Sequence, residues 1–477
     1  MKPITFRITA EQFSTLHAHL FPGDGDEHGA VLLAGISETE RETRFLVREV
    51  LLAKDGADYV PGKFGYRMLT ADFVARASHK CAQQKLCYFA VHCHGGTDSV
   101  GFSAVDLESH KRGYPALIDI TNGGPVGALV FAINAVAGEI WTRHGTAALT
   151  GMTVVGLNHR RLFPEPIPRR NGCAATFDRQ ALIFGEIGQQ HLAQAKVGII
   201  GLGGVGSLIN ELVARLGVGE IVAIDYDRIE SSNRSRVVDS TPWDALEWLS
   251  NSRWRWLRRL AGRWSRRKVR IAERVACKAN PKVRFHALPN DVTSLQVAQQ
   301  LADADFLFLC ADSMQSRLVF NALVHQYLIP GIQIGSKVPV DAEGRVGNIF
   351  SVERLVLPDS GGGCLLCNQL IVASKLQEEA LSPAERERQA YVKGVKAPSV
   401  ITLNALGSSQ AANDFLFSFL GLFNASLASA GYRMHFARER KWKAVDVESE
   451  ETCLHCSGSP RSAFARGDRH SLPCKAK

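Results

Sequence analysis

The stretch LAQAKVGIIGLGGVGSLINELVARLGVGEIVAIDYD, residues 192–227, decides the fold of the larger part of the chain. A short apolar run (KVGII) meets a glycine-rich turn, an amphipathic helix follows, and a second apolar run (EIVAI) ends in acids. That order of strand, turn, helix and strand predicts a parallel sheet with helices on both faces. Gly201, Gly203 and Gly206 form G-x-G-x-x-G, with Gly204 inside the same loop. Such a loop lets phosphate approach the backbone at a helix N-terminus. Asp225 closes the next strand 19 residues after Gly206, the placement of a ribose-binding acid. Taken alone, the pattern reads as a dinucleotide dehydrogenase.

The residues that follow favour different chemistry. Asn233-Arg234-Ser235-Arg236 comes just after the acidic strand end, and Lys268 opens a predicted helix (KVRIAERVACKANP). A strand, DFLFLCAD, ends in Asp312 and is followed by Arg317 and Asn321. Hydride transfer has no use for several cations and an extra acid beside the phosphates. Attack on an α-phosphate does, because Arg and Lys neutralise the charge that builds there while a carboxylate holds magnesium. Arg179, upstream in FDRQALIFGEIGQQHL, is a further cation.

These residues resemble the ThiF/MoeB and ubiquitin-activating enzyme superfamily over about 173–425 and the terminal cysteines. The resemblance implies ATP phosphates at Gly201, Gly203, Gly204 and Gly206 and ribose at Asp225. Asn233, Arg236 and Lys268 would line the triphosphate, and Asp312 would bind magnesium. Arg179 resembles the arginine that a partner subunit contributes, which implies a homodimer. The alternative is an inert doubly wound domain with solvated charges.

Cysteine usage adds a second feature. Cys364-Leu-Leu-Cys367 and Cys453-Leu-His-Cys456 are two C-x-x-C pairs separated by 85 residues. That spacing fits a structural tetrathiolate zinc tying the C-terminal segment back to the adenylation domain, a placement shared with ThiF/MoeB-like proteins; a thioredoxin-like redox pair is the alternative. Thioester-forming relatives carry a cysteine after the first pair. Here Tyr391, Val392 and Lys393 stand there, and no cysteine occurs from Asn368 through QAYVKGVKAPSVITLN. The expectation is chemistry that stops at the acyl-adenylate, or service by a distant thiol, Cys173 or Cys474. Cys277 and Cys310 fall in helix and strand patterns, so burial is expected of both.

The first 165 residues read as short strands (VLLAG at 31–35, TRFLVREVLLA at 43–53, CYFAVHCH at 87–94) with helices between. His92-Cys93-His94 ends the last of these, and Ser103-Ala-Val-Asp106 follows after eight residues. Histidines two apart on a strand share a face, so both rings can reach one ion. Asp106 supplies an oxygen ligand, leaving a fourth position open as catalytic zinc requires. Zinc there would lower the pKa of water to roughly 7. Glu27 precedes the strand VLLAG and is placed to act as general base, while Ser103 can donate to a developing oxyanion. The constellation resembles the JAB (JAMM, MPN) metalloproteases, which remove ubiquitin-like proteins, over residues 5–140. The resemblance implies His92, His94 and Asp106 as zinc ligands and Glu27 as acid–base. Gly95 stands where many members carry Pro, and the loop before Ser103 is one residue longer than in many.

Composition sets the outer limits. The chain has 477 residues, 45% hydrophobic and 22% charged, which suits a multidomain α/β protein: an α+β metalloprotease domain at 1–165, a linker at 166–172, a Rossmann-like adenylation domain at 173–425, and a C-terminal segment at 426–477 with a mobile tail. No apolar run reaches the length of a membrane span, and the first residues, MKPITFRITAEQF, lack the apolar core of a signal peptide, so a reducing, cytoplasmic setting is expected. The net charge of +9 matches residues 251–275, which hold ten Lys or Arg against Glu273; nucleic acid is therefore not expected as a partner. Five of seven tryptophans lie within 22 residues of an insertion at 240–267, where packing on the adenylation domain or across a dimer is expected.

Together the two resemblances imply a bifunctional enzyme that cleaves after the C-terminus of a small β-grasp ubiquitin-like protein and activates that carboxylate with ATP. They also imply a setting beside a conjugating-enzyme-like protein in bacterial antiphage defence. A second reading is sulfur-carrier processing, with a sulfur donor as partner, and a third is a scaffold with inactive sites.

Overall fold

The computed structural model describes residues 2–61, 67–168, 174–339, 345–358, 361–380 and 398–475. Cys173, Tyr391, Val392, Lys393 and most of the expected linker lie outside these. The chain forms two compact units. The first comprises Met1–Arg169, His325–Leu328 and Glu451–Ser471; the second holds Arg170–Val324, Ile329–Glu450 and Leu472–Lys477.

The first unit is built on nine strands: β1 Ile4–Thr9, β2 Gly29–Glu38, β3 Thr43–Leu52, β4 Cys87–Cys93, β5 Val126–Phe131, β6 Val136–Thr142, β7 Gly145–Ala148, β8 Gly151–Val155 and β9 Arg160–Leu162. Their order in the sheet is β7-β6-β5-β4-β2-β3-β1-β8-β9. The expected strands at 31–35, 43–53 and 87–94 correspond to β2, β3 and β4. β2 is apolar on both faces because both are covered. Ala30, Leu32, Ala34 and Ile36 enter one core with Phe6, Phe45 and Phe89, which the helix Ala10–Leu20 closes through Phe13, Leu16 and Leu20. Val31 and Leu33 enter the opposite core, under the helices Ala71–Gln84 and Ala104–Ile120.

The second unit carries β10 Lys196–Ile200, β11 Glu220–Ile224, β12 Arg284–Leu288, β13 Phe306–Leu309, β14 Gly331–Lys337, β15 Phe350–Val356, β16 Tyr432–Phe436 and β17 Lys441–Ala444. The order is β12-β11-β10-β13-β14-β15-β16-β17. β10 to β14 are parallel and β15 to β17 antiparallel. The strand order reverses between β10 and β13, so their carboxyl ends open a crevice where ligands bind in such sheets. Phe415 of the helix Ile401–Leu420 packs on Phe306 and Phe308, centroids 4.9 and 5.7 Å away. No helix among the described residues is long and apolar enough to cross a membrane.

Three expectations are corrected. The second sheet continues past 425 through β16 and β17. The Ser/Arg/Gly-rich segment expected to be mobile packs into the first unit, where Ser462 and Ala465 are fully buried. It is held by backbone: Asp468 N–H donates to Ile36 O at 2.7 Å, and Arg48 donates to the carbonyls of Phe464 and Ser459. Cys277 is exposed, and Cys310 only half-buried. The helix Lys268–Ala279 buries Val269, Ile271, Ala272, Val275 and Ala276, and Cys277 falls off that stripe.

Candidate functional sites

In the first unit the sheet register brings the site together. β2 and β4 are antiparallel with Gly29 opposite His92, so Glu27 approaches His94 from across the pair. β4 lies parallel to β5, and His94 N–H donates to Phe131 O at 2.9 Å, fixing the strand end. The Ala104–Ile120 helix contributes Asp106 from its first turn. Ser103 caps that helix: its hydroxyl donates to Asp106 Oδ2 at 2.7 Å and accepts the Asp106 N–H at 3.2 Å. Ser103 thus caps the helix and orients the Asp106 carboxylate.

The donor atoms form a near-regular triangle. His92 Nε2 and His94 Nε2 are 3.2 Å apart, and they lie 3.6 and 3.5 Å from Asp106 Oδ2. Four ligands at zinc distances of about 2.0–2.1 Å stand about 3.3–3.4 Å apart in a tetrahedron, so the spacing fits three corners of one ion. Glu27 Oε1 stands beside the triangle, 3.9 Å from His94 Nε2. The other nitrogen of His94 faces Gly101 O at 3.1 Å, the kind of outer contact that orients a ligating ring. Burial alone would raise the Asp106 carboxyl, but hydrogen bonds with His92 and Ser103 outweigh it and hold the group well below the usual carboxylate range.

Glu27 has a support that no motif announced. Its neighbour His28 is buried, with Nε2 2.9 Å from Asp24 Oδ2, Nδ1 3.3 Å from Arg67 Nη1, and its N–H on Cys93 Sγ. These contacts tie the residue after Glu27 to the strand that carries the histidines.

In the second unit a cavity of about 750 Å³ opens at the crevice between β10 and β13, lined by Gly201, Gly203, Gly204, Asp225, Asn233, Arg236, Lys268 and Asp312 among others. The helix Gly204–Arg215 begins at this cavity with Gly203 as its N-cap. Glycine is required at two positions. Gly201 has φ +91°, and a Cβ on Gly206 would stand 1.9 Å from Gly201 O. Asp225 takes N–H bonds from Leu202 at 2.7 Å and Asp227 at 2.8 Å, one on each oxygen. Burial raises its carboxyl despite Lys268 nearby. Lys268 Nζ sits 2.6 Å from Asp227 Oδ2 and 3.9 Å from Asp225 Oδ2, and Arg236 donates to Asn233 Oδ1 at 2.8 Å.

Two expected residues stand outside the lining: Gly206, buried in the first turn of its helix, and Arg179. Arg179 is exposed on the helix Asp178–Gln194. Asn404 is the residue sequence reasoning missed. It is buried at the cavity wall, donates to Ser399 Oγ and accepts from Ser336 Oγ, and a Cβ on Gly204 would stand 2.2 Å from its Nδ2. No motif surrounds it, and it lies about two hundred residues from the glycine loop.

Residues 177–455, more than half of the chain, match the ThiF family. The chain belongs to the ThiF family. It is 25% identical over 274 residues to the Escherichia coli sulfur carrier protein ThiS adenylyltransferase, covering 57% of this chain and 90% of that protein. It is also 25% identical over 198 residues to chicken ubiquitin-like modifier-activating enzyme 5, covering 39% of this chain and 43% of that protein. A solved structure of E. coli MccB aligns with a TM-score of 0.45 at 20% identity, over 61% of this chain and 75% of that one.

The four cysteines of the two C-x-x-C pairs are buried. Cys364 and Cys367 have sulfurs 3.6 Å apart in the second unit, close to the roughly 3.8 Å edge of a tetrahedron with 2.3 Å zinc–sulfur bonds. Cys453 and Cys456 are buried in the first. Cys474 is half-buried, and burial pushes its thiol up, the reverse of what a thioester-forming thiolate needs.

Proposed function

We propose that the ThiF-family unit uses ATP to adenylate the C-terminal carboxylate of a small ubiquitin-like or sulfur-carrier protein, and that the first unit hydrolyses the bond after such a C-terminus. The observation that carries the first half is the convergence of the glycine loop, Asp225, Arg236, Lys268 and Asp312 on one cavity. There Gly201, Gly203, Gly204 and Gly206 would accept phosphates, Asp225 the ribose, and Asn233, Arg236 and Lys268 the triphosphate, with Asp312 holding magnesium. Lys268 is pre-placed between two carboxylates, so an incoming anion exchanges one set of negative partners for another rather than meeting an unbalanced charge. Arg179 would serve the site of a second copy.

For the second half, His92, His94 and Asp106 fit one zinc ion by their spacing. Zinc, when bound, supplies Lewis acidity and lowers the pKa of water to about 7. Glu27 would take a proton and return it to the leaving amine.

The reaction is expected to end at the acyl-adenylate, with the acyl group passing to a partner thiol or sulfur donor; the depressed acidity of Cys474 favours this over a thioester on that residue. The test is a trap. Glu27→Gln keeps the zinc donors and loses the base, so it should retain a substrate when purified from its own host cells. Many proteins carrying one small β-grasp modifier on lysines would establish conjugation and deconjugation. One unconjugated carrier bearing a C-terminal thiocarboxylate would establish sulfur transfer instead. Wild-type protein that binds zinc and ATP but neither cleaves nor adenylates the trapped carrier would overturn the reading in favour of an inactive scaffold.

A further inference from the structure

The insertion at 240–267, where packing on the adenylation domain or across a dimer was expected, leaves its tryptophans exposed in the single chain. Trp243, Trp248, Trp254, Trp256 and Trp264 are 76, 64, 53, 58 and 65% exposed. On the helix Arg255–Trp264 the side chains sort into neighbouring stripes at i, i+4 spacing. Leu257, Ala261 and, just beyond the helix, Ser265 form the stripe turned inward, with Ala261 and Ser265 buried and Leu257 half-buried. Trp256, Leu260 and Trp264 form the next, with both indoles largely in solvent. Arg255, Arg259 and Arg263 form the third and are all exposed. Arg253 stacks over Trp254, 5.2 Å from the ring centroid.

Five exposed indoles in one segment exceed what scattered surface residues explain, so the patch marks an interaction. Its charge selects the partner class: Arg253, Arg255, Arg258, Arg259 and Arg263 are all exposed on it and call for an anionic surface, whereas Arg266, Lys268, Arg270 and Arg274 pair with acids. Two features select among anionic partners. All five aromatics are tryptophan, the side chain that favours the boundary between lipid headgroups and acyl chains. The stripes also stand on a convex helix, whereas readers of single strands combine stacking aromatics with a groove that tracks the backbone.

We propose that this segment is a peripheral membrane-docking element. The indoles would enter the headgroup layer of an anionic lipid surface, and Arg255, Arg259 and Arg263 would pair with lipid phosphates. The ThiF-family fold and its cavity do not depend on this, and the proposal stands apart from the adenylation reading.

The experiment uses the full chain and vesicles of phosphatidylcholine alone or mixed equally with phosphatidylglycerol. Sedimentation with the anionic vesicles only, a blue shift of tryptophan emission and quenching by brominated lipid are expected. The double variant Trp256→Ala/Trp264→Ala, shown to keep the wild-type melting temperature, should lose about tenfold or more in vesicle affinity, and roughly 0.5 M salt should weaken the wild type strongly. If that variant fails to fold, Arg255→Gln/Arg259→Gln supplies the same readout. Three results would overturn the proposal: no sedimentation with anionic vesicles, equal sedimentation of wild type and folded variants, or tighter binding to a single-stranded oligonucleotide than to vesicles. Indoles shielded from acrylamide in the lipid-free protein would overturn it as well, in favour of a second copy.

Discussion

At the scale of the residue, both candidate sites depend on a few atoms whose loss has separable effects. Asp106→Asn leaves the helix cap largely intact but removes an anionic donor. It should lower zinc content at the His92–His94 site by tenfold or more, read by metal analysis against the wild type. Glu27→Gln should keep full zinc and lose cleavage by about two orders of magnitude or more. Equal zinc loss in both variants would show Glu27 to be a ligand instead. On the ATP side, Gly206→Ala drives a methyl into Gly201 O at 1.9 Å. ATP affinity should fall at least tenfold by calorimetry while the melting temperature changes little by comparison; unchanged affinity would move the phosphate site off the loop.

At this same scale the sequence was most and least informative. The glycines, Asp225, Lys268 and the histidines were legible because short motifs keep catalytic donors close in sequence. The capping role of Ser103 was not read, although S-x-x-D is equally a capping box. Asn404 was invisible because its role comes from a helix that closes the cavity from far along the chain.

At the scale of elements, the Glu451–Ser471 segment was unreadable since it has neither strand nor helix periodicity. Its order comes from backbone carbonyls that Arg48 collects, with that guanidinium pushed down to about 10 by burial and the nearby Arg466. Arg48→Met should strip those charge-assisted bonds and cost about 2–4 kcal/mol, with tryptic cleavage beginning in 459–469. A variant as protease-resistant as the wild type would show that the segment is held by packing alone. Gly35→Ala tests the same contact from the sheet, since its methyl would meet Ala465 O at 2.1 Å. By contrast, β2, β4 and β10 were predictable from runs that are apolar on both faces. The exposure of the Trp/Arg insertion was not legible because helical amphipathicity says which side faces inward, not how far the flanking indoles are covered.

At the scale of the whole molecule, one buried charge cluster sets a pH dependence. Glu353 is 2% exposed, both carboxyl oxygens lack a hydrogen-bond partner among the described residues, and Arg433 is 4.0 Å away but is bound more closely by Asp414. Burial, with Asp414 adding, raises Glu353 from 4.5 to about 8. The folded protein therefore keeps a proton that the unfolded chain releases above about 4.5. This contribution is fully present below 4.5 and lost as pH rises to about 8. Glu353→Gln should flatten the fall in melting temperature between pH 5 and 8; parallel curves for variant and wild type would contradict the assignment.

We propose above all that this ThiF-family chain activates a protein carboxylate with ATP. The most direct measurement is ATP–pyrophosphate exchange by the purified full chain, supplied with the small-protein fraction of its own host cells. Exchange should require that fraction, survive Glu27→Gln, and disappear with Arg236→Ala or Lys268→Ala. Wild-type protein that binds ATP yet catalyses no exchange with any carrier in that fraction would contradict it.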